Sequence, residues 1–167
     1  RLNDIITDFL NYAKPKEPQR VSCRVEDIIE KNLAFLDAQL KEKGYALGKR
    51  YDPRLTAILA DADMLYQAFL NILINAMQAM PDGGRLQITT EMGNQQALLH
   101  FDDSGTGIAE EVKEKIWNPF FTTKEMGTGL GLGIVKNIIE SHDGHIRIGN
   151  RPEGGTRVTV ALPLGPE

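Results

Sequence analysis

Residues 102–112 read DDSGTGIAEEV. They follow an alternating apolar run, ALLHF at 97–101, and end where a helical pattern begins. A strand that stops at two aspartates and a glycine-spaced turn is either a tight bend or one half of a ligand pocket. The stretch alone leaves both open, because Asp-x-Gly is ordinary turn chemistry. The choice depends on what the rest of the chain places opposite it.

Working outward, "RLQITTEMG" (85–93) and "QQALLHFDD" (95–103) alternate with a turn between them, the pattern of a β-hairpin. Upstream, "DADMLYQAFLNILINAMQAM" (61–80) reads as a long helix, stopped by Pro81-Asp82-Gly83-Gly84. Before it, "YALGKRYD" (45–52) and "LTAILAD" (55–61) read as a pair of strands. "VEDIIEKNLAFLDAQLKEKG" (25–44) reads as an amphipathic helix closed by Gly44, and "RVSCRV" (20–25) as a short strand.

Downstream, "AEEVKEKIW" (109–117) predicts a short helix. Residues 118–131 have no period and read as a long loop. "GLGIVKNIIESHDG" (131–144) predicts a third long helix, and "HIRIGNR" (145–151) with "GTRVTVALP" (155–163) a second hairpin. The layout predicts an α/β sandwich of the α+β class: a mixed, mostly antiparallel sheet of about five strands, covered on one face by about three helices.

At the N-terminus, "RLNDIITDFLNYA" (1–13) puts Leu2, Ile5, Ile6, Phe9, Leu10 and Ala13 on one helical stripe. Such a stub is marginal as an isolated helix, so it is expected to continue upstream and pack on a partner helix. "KPKEP" (14–18) ends it, and 14–19 reads as a linker to a domain over 20–167. A chain that starts at Arg1 rather than Met is expected to be part of a longer protein.

The 167 residues are 41% hydrophobic and 25% charged with a net charge of −4, enough apolar content for one core. That balance argues against a nucleic-acid surface. The single cysteine, Cys23, cannot form an internal disulfide and fits a reducing compartment. No apolar run approaches the roughly 18 residues of a membrane span.

Three further stretches carry chemistry. In "NILINAMQA" (71–79), Asn71, Asn75 and Gln78 fall at i, i+4 and i+7 on one helical face. A solvent-facing polar stripe is the plain reading. Yet Leu70, Ile72, Leu73, Ile74 and Met77 surround the amides, and amides on such a helix need partners that a ligand or metal could supply. In "NPFFTTKEMGTGLGLGIVKN" (118–137), Gly127, Gly129, Gly131 and Gly133 alternate up to a helix start, with Thr122, Thr123, Lys124 and Thr128 adding hydroxyls and a positive charge. A glycine-rich approach to a helix N-terminus suits a phosphate, and a flexible hinge is the alternative. It fits neither a Walker A loop nor a dinucleotide fingerprint. "EGGTRVTVALP" (153–163) is a turn into a strand, for which a plain structural turn is the strong reading.

Taken in order, Asn71-x-x-x-Asn75-Ala, Asp103-x-Gly105-x-Gly107-Ile108, Pro119-Phe-Phe-Thr-Thr-Lys124, Gly127-Thr-Gly-Leu-Gly-Leu132 and Gly154-Gly-Thr156 resemble the N, G1, F, G2 and G3 boxes of bacterial sensor histidine kinases. The resemblance is to the catalytic ATP-binding domain of these two-component proteins, a Bergerat fold of the GHKL superfamily, and it runs from about residue 20 to the end. "PFFTTK" with "NAMQAM" is closest in style to the nitrogen-regulation and sporulation kinases. "RLNDIITDFLNYAKP" resembles the end of the second dimerisation helix that precedes this domain.

The resemblance implies that Asp103 takes the adenine amino group, beside a wall shaped by Gly105, Gly107 and Ile108, with Thr156 supporting the base through water. It implies Mg²⁺ on the amide oxygen of Asn75, with Asn71 nearby. A lid over 118–131 would carry Thr122, Thr123 and Lys124, the last toward the terminal phosphate. Gly127, Thr128, Gly129, Leu130, Gly131 and Leu132 would hand the phosphates to the third helix. Many of these kinases have a basic residue where this chain has Gln78, so Gln78 is left to hydrogen-bond and Lys124 to matter more.

ATPases and serine kinases of the same superfamily carry a glutamate four residues before the metal-binding Asn. Here that position is Asn71, which cannot accept a proton at neutral pH, and no other carboxylate lies between Leu65 and Met80. An ATPase or serine kinase, and a non-catalytic nucleotide sensor or docking module, are therefore the alternatives to a histidine kinase. The family's phosphoacceptor histidine would lie upstream of Arg1; His100, His142 and His145 read as structural. The implied partners are the upstream dimerisation domain and a response-regulator receiver domain, in a cytoplasmic parent homodimer, free or anchored in the inner membrane, with no nucleic acid.

Overall fold

The computed structural model describes residues 17–117 and 131–165. The stub at 1–13, the start of the linker, and the lid residues Thr122, Thr123, Lys124, Gly127, Thr128, Gly129 and Leu130 lie outside the described residues.

The chain runs β1 (Val21–Cys23), α1 (Val25–Lys43), β2 (Ala46–Arg50), β3 (Ile58–Ala60), α2 (Ala62–Gln78), β4 (Arg85–Met92), β5 (Gln96–Asp103), α3 (Gly131–Ser141), β6 (His145–Asn150) and β7 (Thr156–Pro163). One five-stranded sheet has the order β2-β4-β5-β7-β6, and β1 pairs with β3 in a separate two-stranded ribbon. The β2–β4 pair is parallel and the other neighbours in the large sheet are antiparallel.

Alternation along the strands gives the sheet one dry face. Leu86 and Ile88 of β4, Ala97, Leu99 and Phe101 of β5, and Val160 and Leu162 of β7 are buried. They meet Phe69, Ile72 and Leu73 of α2 and Ile134, Val135, Ile138 and Ile139 of α3 in one core cluster. Phe69 and Phe101 fix its centre, with ring centroids 5.6 Å apart. The opposite face is polar, so that Asp102 forms a two-bond ion pair with Arg157 (2.7 and 2.8 Å) and His100 meets Thr159 Oγ1 (3.1 Å).

Helix ends follow the sequence signals. Gly44, at φ 71°, closes α1 by donating to Leu40 and Lys41 carbonyls. Asp61 caps α2, its Oδ1 accepting the Met64 N–H at 3.1 Å. The same carboxylate accepts the Gln19 N–H on Oδ2 (3.0 Å), and the Asp61 N–H donates to Nε2 of the buried His142 (3.0 Å). His142 Nδ1 in turn donates to the Ile138 carbonyl (2.8 Å), so one histidine ties the end of α3 to the start of α2. Asp61→Ala should cost about 1–2 kcal/mol, the usual worth of a helix cap. An unshifted urea midpoint would remove Asp61 from that role.

Two expectations are corrected. The stretches 45–52 and 55–61 do form strands, but they do not pair with each other. Asp52 turns the chain away between them, its Oδ1 accepting the Arg54 N–H (2.9 Å) and its Oδ2 the Met92 N–H at the end of β4 (2.9 Å). β2 then joins β4 in parallel, which requires a crossover, and α2 lies in it. The short helix over 109–117 is instead two single-turn 3₁₀ segments, Glu110–Val112 and Lys115–Trp117. None of their residues is buried, too little to propagate an α-helix.

Candidate nucleotide site

Asp103 owes its place to the strand period. The inward positions of β5 run Ala97, Leu99, Phe101 and then Asp103, opposite Leu86. A carboxylate thus occupies the last core-facing position, under the C-terminal end of α2, and is only 5% exposed.

Two backbone donors hold its Oδ1: the N–H of Gly105 at 2.8 Å and that of Thr156 at 3.2 Å. The second oxygen, Oδ2, takes no hydrogen bond from any described residue. Burial pushes the carboxyl above its ordinary value, against the pull of these two N–H groups and of the Arg151 charge. With Oδ1 engaged, Oδ2 is left as an open acceptor that a donor from a ligand can use.

The walls are glycine for reasons inside the protein. A Cβ on Gly105 would sit 2.6 Å from the Ala79 carbonyl oxygen, so this turn packs directly on the end of α2. Gly107, at φ 78°, lies where a Cβ would meet Asn150 Oδ1 at 2.9 Å. Gly155, at φ 89°, would drive a Cβ into the Asp103 carbonyl. At Gly105 and Gly107 the contacts that leave no room for a side chain are therefore Ala79 and Asn150.

Behind the carboxylate, the Ser104 hydroxyl accepts the Arg85 N–H at 2.9 Å, and the Tyr45 hydroxyl lies 3.0 Å from the Met77 carbonyl in the last turn of α2 and 2.7 Å from the Met80 carbonyl just beyond it. Ser104 also reaches Met80 Sδ through its N–H and its hydroxyl (3.4 Å each), which joins the turn after β5 to the segment just past α2.

Along α2, Asn71 and Asn75 are half-buried and Gln78 is exposed. Asn75 Nδ2 lies 4.0 Å from the Cβ position of Gly131, so the amide face of α2 meets the first turn of α3, where Gly131 and Leu132 are half-buried. The opening N–H groups of that helix lack intrahelical acceptors and favour an anion. Just before the undescribed segment, the Trp117 ring is stacked under Lys136 Nζ of α3, 5.4 Å from its centroid. Gly105, next to Asp103, packs on Ala79, and Gly131 lies beside Asn75, so the two flank the last turn of α2.

Residues 60–166 match the family of histidine kinase-, DNA gyrase B- and HSP90-like ATPases. The chain is also similar to the solved catalytic domain of the histidine kinase ThkA, at 30% identity and a TM-score of 0.82, covering 88% of this chain and 97% of that one. It belongs to the catalytic ATP-binding domains of the sensor histidine kinases.

Among full-length relatives, the kinase domain is 34% identical to the signal transduction histidine-protein kinase AtoS of Escherichia coli K12 over 99% of its own length, and 35% identical to sporulation kinase A of Bacillus subtilis 168 over 98%. It spans only 28% and 27% of those proteins. ThkA has also been solved in complex with the response regulator TrrA; that kinase chain matches 98% of this one at 28% identity and a TM-score of 0.85, with 47% of its own length covered.

Within the described part of the kinase domain, the structure brings together Asp103, Gly105 and Thr156, and sets Asn75 beside Gly131. Two contributors escaped the sequence reading. Asn150 binds both the N–H and the carbonyl of Ile108 (2.7 and 2.8 Å), and Arg151 Nη1 donates to the Asp103 carbonyl at 3.1 Å. Their only sequence signal is a polar pair at the end of the strand HIRIGNR, just before Gly154-Gly155-Thr156.

Proposed function

We propose that the kinase domain binds Mg-ATP and delivers its γ-phosphoryl group to a histidine on an upstream dimerisation domain, for relay to a response-regulator aspartate. In this reading residues 1–13 are the end of a dimerisation helix, 14–19 a linker, and the whole parent a homodimer.

The observation that carries the reading is Asp103: one oxygen held by Gly105 and Thr156, the other open, at the edge of a helix that from Leu65 onward offers amides and no carboxylate. The open oxygen suits an exocyclic amine of the base. Asn75 would give its amide oxygen to Mg²⁺, a hard ion that favours oxygen ligands and offsets phosphate charge. Asn71 lies one turn away, and Gln78 would hydrogen-bond where a basic residue is common. Gly131 and Leu132 would present the α3 N-terminus to the phosphates, together with Thr122, Thr123, Lys124, Gly127, Thr128, Gly129 and Leu130 of the lid.

Asn71 stands where a general base for water or serine would be needed. A neutral imidazole has its own lone pair, so the site's task reduces to positioning and shielding the phosphoryl group. Among the described residues no helix is long and apolar enough to cross a membrane.

The test pairs calorimetry with two phosphate assays. Mg-ATP should bind, phosphate release should stay at the buffer background, and label should move to a dimerisation domain supplied in trans with its histidine. Steady phosphate release abolished by Asp103→Asn would replace the kinase with an ATPase.

A further inference from the structure

We propose that Asn150 is a positioning residue for the base pocket: it holds the turn after β5 in the one geometry that keeps the open oxygen of Asp103 aimed at an adenine amino group. The inference rests on the nucleotide reading above.

Asn150 is the last residue of β6, paired with Thr156. Its side-chain amide docks on Ile108 with both functions, Oδ1 accepting the Ile108 N–H (2.7 Å) and Nδ2 donating to the Ile108 carbonyl (2.8 Å). That is one rung of an antiparallel ladder made by a side chain, across a separation of 42 residues. Gly107 makes the approach possible, since a Cβ there would lie 2.9 Å from Asn150 Oδ1.

The next residue grips the other end of the same turn. Arg151 Nη1 donates to the Asp103 carbonyl (3.1 Å), and the Arg151 N–H closes its own turn on the Gly155 carbonyl (2.9 Å). Asp103 and Ile108 are thus both tied to the β6–β7 corner. Between them, Thr106 is exposed, and its hydroxyl only grazes the Gly107 carbonyl at 3.4 Å. Among the described residues Ile108 has no other hydrogen bond, so without Asn150 the far end of this turn, and with it the side of the pocket next to Asp103, is free to move.

A polar residue that is itself exposed and makes two hydrogen bonds to one loop residue does little for the core. It does determine how well a ligand's edge is read. Adenine offers an amine to Asp103, whereas hypoxanthine offers a carbonyl oxygen in its place, so the ratio of ATP to ITP affinity measures how firmly the carboxylate is held on its target.

The experiment measures Mg-ATP and Mg-ITP dissociation constants and the melting temperature for the wild-type domain, Asn150→Ala and Asn150→Ser. Asn150→Ala should weaken ATP by about tenfold, the effect of losing two exposed hydrogen bonds. ITP should weaken less, so that the ATP/ITP preference narrows, while the melting temperature falls by only about 2–6 °C. Asn150→Ser, which keeps one hydroxyl in reach of Ile108, should fall between. An ATP affinity within twofold of wild type, or equal losses for ATP and ITP, would overturn the positioning role. A wild-type domain with no preference for ATP over ITP would overturn the nucleotide reading itself, and the inference with it.

Discussion

Asp103→Asn is expected to weaken Mg-ATP binding by about ten- to a hundredfold while raising the melting temperature of the nucleotide-free domain at neutral pH. The first half follows from geometry. Oδ1 is already engaged by the N–H groups of Gly105 and Thr156, and an amide oxygen can keep both bonds. The change therefore falls on the open position, where an acceptor becomes an N–H₂ donor facing the donor amine of the base. Loss of a charge-assisted hydrogen bond at a buried site costs roughly 1.5–3 kcal/mol, which sets the range.

The second half follows from linkage. Burial holds the Asp103 carboxyl above its ordinary value despite the two N–H donors and Arg151. A carboxyl whose pKa is raised by folding supports the fold fully below its unfolded value, about 3.9, and loses that contribution as pH rises through the folded value. At neutral pH the ionised group thus weighs against the free domain, and an uncharged amide removes the penalty. The stabilisation of Asp103→Asn should shrink as the solution is acidified past the carboxylate range. Calorimetric titration and thermal melts at two pH values check both halves. Unchanged affinity would take Asp103 away from the base. A lower melting temperature at neutral pH would mean that the charge strengthens its hydrogen bonds by more than its burial costs.

Such a residue, unfavourable to the fold and placed at its last dry position, also shows what the sequence could reveal. The alternation Ala97, Leu99, Phe101 announces that the next inward residue is Asp103, so a buried carboxylate at a strand end was readable from period alone. The helices capped by Asp61 and closed by Gly44 were equally readable, because caps act over a few residues. Contacts made across the fold were not. Asn150 meets Ile108 only because β6 pairs with β7 and β7 with β5, and no local pattern encodes that register. The parallel partner of β2 was hidden for the same reason, since the crossover through α2 separates it from β4. Residues 109–117 misled in the other direction: their composition favours a helix, but with none of the residues of its two short turns buried, only single turns form.

The glycines of the β6–β7 corner give the second large effect, and they carry their own control. Gly155→Ala is expected to destabilise the domain by roughly 2–6 kcal/mol and to abolish measurable Mg-ATP binding, whereas Gly154→Ala should cost about 1–3 kcal/mol and leave affinity near wild type. Both residues have positive φ, 89° and 103°, so both substitutions strain the backbone by about 1–3 kcal/mol. They differ in what lies ahead of the new methyl. At Gly154 there is nothing within 4 Å. At Gly155 the Cβ runs into the carbonyl of Asp103, a backbone atom that cannot rotate aside, and relieving such overpacking typically adds about 1–3 kcal/mol. Any relief must shift Asp103 relative to the Thr156 N–H that holds its Oδ1, which moves the open oxygen off the base as well. Against a total stability of about 5–15 kcal/mol for an ordinary domain, the strain at Gly154 is tolerable and the collision at Gly155 is close to the limit. Urea melts and calorimetry on the two variants separate strain from contact. Equal losses in both would mean that backbone conformation alone decides, and that the approach of Gly155 to Asp103 has no part in holding the site.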